Sequence, residues 1–164
     1  MSTSFYKITA VLLMLIVVAH SCVEPEEPTE LPPETQTGEN TFGCYVNGEL
    51  FVAVPHFRWG TAPPYLYAEY TNSNGSLAIG ASNTNEFFRF FLNPEENMYL
   101  RMRITYSNSN DIAYQARDIG YIFLTKFDLE NRIVSGTFEY EVIDGKDTIA
   151  IVTEGRFDIK LVIK

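Results

Sequence analysis

The chain holds only two cysteines, two histidines and one tryptophan in 164 residues, and no block of lysine and arginine. Two cysteines are too few for a disulfide-stapled scaffold, and the same scarcity leaves no Cys/His set for a zinc site. With 12 Lys+Arg against 21 Asp+Glu, a net charge of -9 and a pI near 4.6, there is no clustered positive surface to hold phosphates. Nucleic acid is thereby excluded as a partner. Long apolar runs are missing too: the stretch Ile8–Ala19 falls short of the about 20 residues that cross a bilayer. No cofactor motif is present.

What is there begins with an export signal. Residues 1–21 carry Lys7 as their single charge, then the apolar stretch, then small residues before Cys22. This is the build of a signal peptide, removed rather than folded. Ala19-His20-Ser21-Cys22 resembles a bacterial lipobox, with Ser21 a usual residue before the cysteine and His20 a departure from the pattern. The resemblance implies that Cys22 becomes the lipid-modified first residue of the mature protein. One acyl chain holds a membrane only marginally, whereas two or more anchor stably.

Residues 22–40 form the next unit. Positions 23–40 hold Glu24, Glu26, Glu27, Glu30, Glu34 and Glu39, prolines 25, 28, 32 and 33, and no basic residue. Self-repulsion and proline favour an extended chain, so the segment reads as a flexible tether. Fully extended, it would reach about 55 Å from the lipid. An acidic segment directly after a lipidated cysteine also resembles the surface-export signal of Bacteroidota lipoproteins; a plain solvated spacer has the same composition. The domain proper, 41–164, carries 15 acidic and 11 basic side chains, a net of −4, and 21 aromatics. That aromatic content is enough for a core without metal or disulfide.

The periodicity of this domain is that of strands. Val134, Gly136, Phe138, Tyr140 and Val142 share one parity while Ser135, Thr137, Glu139 and Glu141 take the other. Ile149, Ile151, Thr153, Gly155, Phe157, Ile159, Leu161 and Ile163 are expected on one face of the next strand, with the turn at Asp144–Asp147 between them and a bulge or bend at Gly155. Leu100, Met102, Ile104 and Tyr106 alternate similarly, Asn47-Gly48 signals a hairpin, and further strands are expected at 65–71, 77–82, 86–92 and 120–127. Phe87, Phe88, Phe90 and Phe91 supply apolar groups to both faces, which predicts a strand buried on both sides, and 112–118 is expected to form a turn of helix at most. The sum is an all-β domain, a single antiparallel β-sandwich or flattened β-barrel of about 8–10 strands.

Phe42-Gly43-Cys44-Tyr45-Val46-Asn47-Gly48 followed by Phe51-Val52 resembles the opening of a family of small Bacteroidota lipoproteins of unknown function. Phe127-Asp128, Ile133-Val134-Ser135-Gly136-Thr137-Phe138-Glu139 and Thr153-Glu154-Gly155-Arg156-Phe157-Asp158 resemble its closing hairpin, while residues 55–120 have no counterpart. The resemblance implies an exported all-β lipoprotein; the expected location is the outer membrane of the cell envelope, facing the periplasm or the outside. It carries no activity.

Residues that bear chemistry are sparse. His56, the single histidine after signal removal, follows Pro55 in a loop with no nucleophile motif to serve. Cys44 reads as a buried, inert thiol. Glu139 and Glu141 share a face, as glycosidase carboxylates would, but alternate with Phe138 and Tyr140 like the wet side of a sheet. Asn108-Ser109-Asn110-Asp111 has oxygens without the spacing of a calcium loop. Arg58, Trp59, Tyr65 and Tyr67 form the most suggestive group, rigid aromatics with polar handles suited to a sugar or a protein partner, or to filling the core. Asp147-Thr148-Ile149 resembles the O-glycosylation sequence of exported Bacteroidota proteins, with Thr148 as acceptor. These features predict a non-enzymatic envelope lipoprotein, anchored through lipid on Cys22, that binds a glycan or an envelope protein. A small envelope carbohydrate hydrolase and a lipocalin-like carrier are the alternatives.

Overall fold

The structure, a computed structural model, describes residues 28–54, 65–94, 103–107, 113–115, 120–144 and 147–164. Its strands are β1 (Thr41–Val46), β2 (Glu49–Val52), β3 (Leu66–Thr71), β4 (Ser76–Ser82) and β5 (Phe87–Leu92), then β6 (Arg103–Ser107), β7 (Ala113–Gln115), β8 (Gly120–Asp128), β9 (Ile133–Asp144) and β10 (Asp147–Ile163). The expected helical turn at 112–118 is replaced in its middle by β7, which pairs with β6 through Tyr106 and Tyr114. A ladder partner decided what local propensity left open.

β10 is the hub. It pairs antiparallel with β9 from Asp147 to Lys160, antiparallel with β1 from Val152 to Asp158, and parallel with β3 through Leu161–Ile163. One layer is therefore β2-β1-β10-β9-β8, and the other runs from the end of β10 through β3-β4-β5-β6-β7. The sheet does not close into a barrel, and its two layers face each other as a sandwich. All ladders but the short β10–β3 junction are antiparallel. At Asn47-Gly48 both residues have positive φ (52° and 85°), as a two-residue hairpin loop requires, and the Asn47 side chain accepts from the Ile151 backbone N–H.

Phenylalanine fills the space between the layers. Phe42, Phe138 and Phe157 come from one, Phe88 and Phe90 from the other, and Phe51 from the β2 edge. Phe42 lies 5.0 Å from Phe138 and 5.9 Å from Phe90, and Phe51 lies 4.6 Å from Phe88, ring centre to ring centre. Each ring so buried contributes roughly 1.5–3 kcal/mol. A lipocalin-like carrier needs a closed barrel around an empty interior; this sheet is open and its interior is occupied by rings.

Two expected faces turn out otherwise. Glu154, at φ 52°, forms a bulge between Val152 and Gly155, in opposition to β9 and to β1 alike. The extra residue flips the strand's parity. Ahead of it Ala150 and Val152 point into the core and Ile151 is 47% exposed; beyond it Phe157, Ile159 and Leu161 point in. In β5 burial is one-sided: Phe88, Phe90 and Leu92 are in the core, whereas Phe87 is half-buried and Phe91 is 38% exposed.

Residues 31–40 also depart from the expected free tether, running as a strap over the outer face of the first layer. Pro32 packs over Gly43, Asn40 accepts from the Lys160 N–H, and Lys126 Nζ donates to the Gln36 carbonyl at 3.0 Å.

Candidate functional site

The strap is held by one carboxylate. Asp158 stands in register between Thr41 and Ser135, in a part of β10 whose neighbours Phe157 and Ile159 point inward, so it projects outward. It is nonetheless 1% exposed, because the strap covers it. Thr35 Oγ1 donates to it at 2.6 Å, Ser135 Oγ at 2.7 Å, Gly38 N–H at 2.9 Å, Thr37 N–H at 3.0 Å and Glu39 N–H at 3.2 Å. Three successive amides turned on one anion form a nest, made possible by Gly38 at φ 78°. Burial alone would raise the carboxyl's pKa. The hydroxyl bonds from Thr35 and Ser135 and the amide bonds from Glu39 and Gly38 outweigh it and hold the group down at about 2.

Next to this anchor a cleft of about 330 Å³ opens on the same outer face. Its walls are Glu34 of the strap, Tyr121 of β8, Thr137 and Glu139 of β9, and Glu154 and Arg156 of β10. The Arg156 guanidinium lies between two of the carboxylates, 3.9 Å from Glu34 and 3.7 Å from Glu154. A smaller cavity of about 100 Å³ continues under the strap past Thr35, Gln36 and Thr125. The bulge presents Glu154 here, and the strap supplies one whole wall. Three carboxylates, a guanidinium and a threonine hydroxyl in one cleft offer acceptors and donors side by side, the complement of vicinal sugar hydroxyls. Among the described residues no group of three or more His, Cys, Asp or Glu side chains is placed to hold a metal ion.

The aromatic group expected from sequence is divided. Tyr67 lies on the outer face of the second layer, outside the core cluster, and is buried because its ring covers Gly80. A Cβ at position 80 would stand 2.1 Å from that ring, so only glycine admits it. Its hydroxyl accepts from Arg89 Nε at 2.7 Å. Tyr65 is half-buried just before β3, and its carbonyl accepts from the Ser82 N–H. Arg58 and Trp59 lie outside the described residues, as do Cys22, His56 and Asn108–Asp111. The partner that the structure gives Tyr67 is thus Arg89, which sequence reading passed over because Tyr67 and Arg89 meet only across the β4 register.

Thr148 is exposed at the start of β10, and Glu139 and Glu141 are half-buried on β9. Cys44 is fully buried; burial first, and the charge of Glu86 second, push its thiol pKa far up, so it stays protonated. No protein family, curated protein or solved structure matches the chain.

Proposed function

We propose that this chain is a cell-envelope lipoprotein, acylated at Cys22, whose β-sandwich binds an uncharged saccharide in the cleft between its strap and the outer face of its first layer. The lipobox, the acidic segment and the resemblance to Bacteroidota lipoproteins support the outer-membrane placement, on the periplasmic side or the surface. Thr148, exposed in the motif Asp147-Thr148-Ile149, is the proposed O-glycan acceptor. The cleft carries the binding reading: about 330 Å³ of space is lined by polar groups able to pair with adjacent hydroxyls. Of the aromatic group expected from the sequence, Tyr67 belongs to a separate contact, with Arg89, on the other outer face.

Isothermal titration of the full chain with cello-, xylo- and chito-oligosaccharides tests the reading. One series should bind, and Glu139→Gln should weaken it about tenfold, as expected for losing a charged hydrogen-bond partner, with an unchanged melting temperature. Equal affinity in the variant, or no binding by any series, refutes it. Mass spectrometry of protein from its own host should show acyl chains on Cys22 and a sugar on Thr148; an unmodified Cys22 thiol removes the anchor.

One observation favours a second reading. Glu34, Glu139 and Glu154 line one cleft, and two acids roughly 5–9.5 Å apart across a glycosidic bond are what hydrolysis needs. Release of reducing ends in those titrations, abolished by Glu139→Gln, would replace binding with cleavage.

A further inference from the structure

We infer that the outer face of β5 carries a second, separate site for an anionic saccharide, with Arg89 as the residue that takes its charged group. The sandwich turns this face away from the cleft. Arg89 stands in the middle of it, opposite Gly80 on β4 and Thr105 on β6. Its guanidinium lies 5.9 Å from the Phe87 ring centre, 5.3 Å from that of Phe91 and 5.9 Å from that of Tyr67. Rings on either side fix the plane of the fork, and the bond from Nε to the Tyr67 hydroxyl fixes its rotation.

The remaining donors on Nη1 and Nη2 meet no carboxylate among the described residues. Lys126, Arg156 and Lys164, by contrast, each face a carboxylate. Charge complementarity therefore calls for an anion.

The surroundings say what the anion is carried on. β5 is flanked by β4 and β6, so the site offers no unpaired backbone edge to which a peptide could add as a strand. It offers instead a face on which Tyr67 covers Gly80, Ala78 lies low beside Phe91, and Phe91 stands 38% exposed beside the guanidinium. A sugar ring stacks on such an edge while its carboxylate or sulfate reaches the fork.

The full chain is titrated with trigalacturonate, with a sulfated heparin disaccharide, with inorganic sulfate and with neutral maltotriose. The expected result is binding of at least one charged saccharide, weakened by salt, and little binding of maltotriose or sulfate alone. Arg89→Gln should reduce that affinity about tenfold or more, and Arg89→Lys should not restore it because a point charge lacks the fork. Tyr67→Phe removes a single hydroxyl, keeps the ring over Gly80 and should cost a few-fold in affinity with the melting temperature unchanged. The inference is overturned if neither charged saccharide binds better than maltotriose, or if Arg89→Gln binds as the parent does. Should Arg89→Gln fail to fold, undiminished affinity in Tyr67→Phe overturns it equally.

Discussion

Asp158 shows how much one side chain can organise. Five donors from the strap and β9 converge on it, three of them backbone amides that would otherwise lie unpaired under the strap. Its pKa falls from 3.8 to about 2, which corresponds to a contribution on the order of 2 kcal/mol. Because the folded value is the lower one, that contribution is fully present above about pH 4 and is lost as the pH falls through about 2. Asp158→Asn should therefore cost about 2–3 kcal/mol in urea denaturation at pH 7, with the difference from the parent shrinking towards pH 2, and should speed hydrogen exchange at Thr37–Glu39. A difference that holds constant down to pH 2 would show that the charge is not what secures the strap. In the sequence this residue was legible only as one more outward carboxylate of β10. Its role depends on a segment whose composition argues for disorder, and composition does not reveal that a nest will meet an anion.

The strands themselves were legible wherever hydrophobic alternation ran unbroken, as in β9 with Val134, Phe138, Tyr140 and Val142 facing in. Alternation misled at the bulge. Ile149 to Ile163 share a parity in the sequence, yet the extra residue at Glu154 puts Ala150 and Val152 inside and Ile151 outside. Gly155 hinted at the irregularity but could not show that two ladders bend around it together. A non-glycine residue at φ 52° is strained by about 1 kcal/mol, so Glu154→Gly should raise stability by up to about 1 kcal/mol, and Glu154→Val should lower it by a similar amount. The exposed ion pair with Arg156 alters this little. The prediction fails if glycine destabilises as much as valine does. β5 taught a similar lesson: four phenylalanines suggested two buried faces, but the outer pair flank a guanidinium instead.

At the scale of the molecule, β10 binds both layers into one cooperative unit, since the ladders to β1, β9 and β3 all run through it. Cys44, buried in β1 with its thiol kept protonated, is a built-in reporter of that unit. Its alkylation in native buffer should proceed only through global opening, so its rate should rise in step with the unfolded fraction measured by tyrosine fluorescence in urea. Labelling well ahead of that transition would mean that β1 and β2 open on their own. The docked strap also shortens any tether: from Cys22 to Leu31 the chain reaches about 28 Å rather than the about 55 Å of a free linker.

The hub position of β10 carries a cost in time. β1 begins at residue 41 and finds β2 at once, but the strand that pairs with its other edge begins at residue 147. A ribosome adding about 5–20 residues per second leaves Phe42 and Cys44 waiting roughly 5–20 s for full cover. Until the final strand arrives the nascent polypeptide is sticky and incomplete, which makes it a natural client for a holding chaperone.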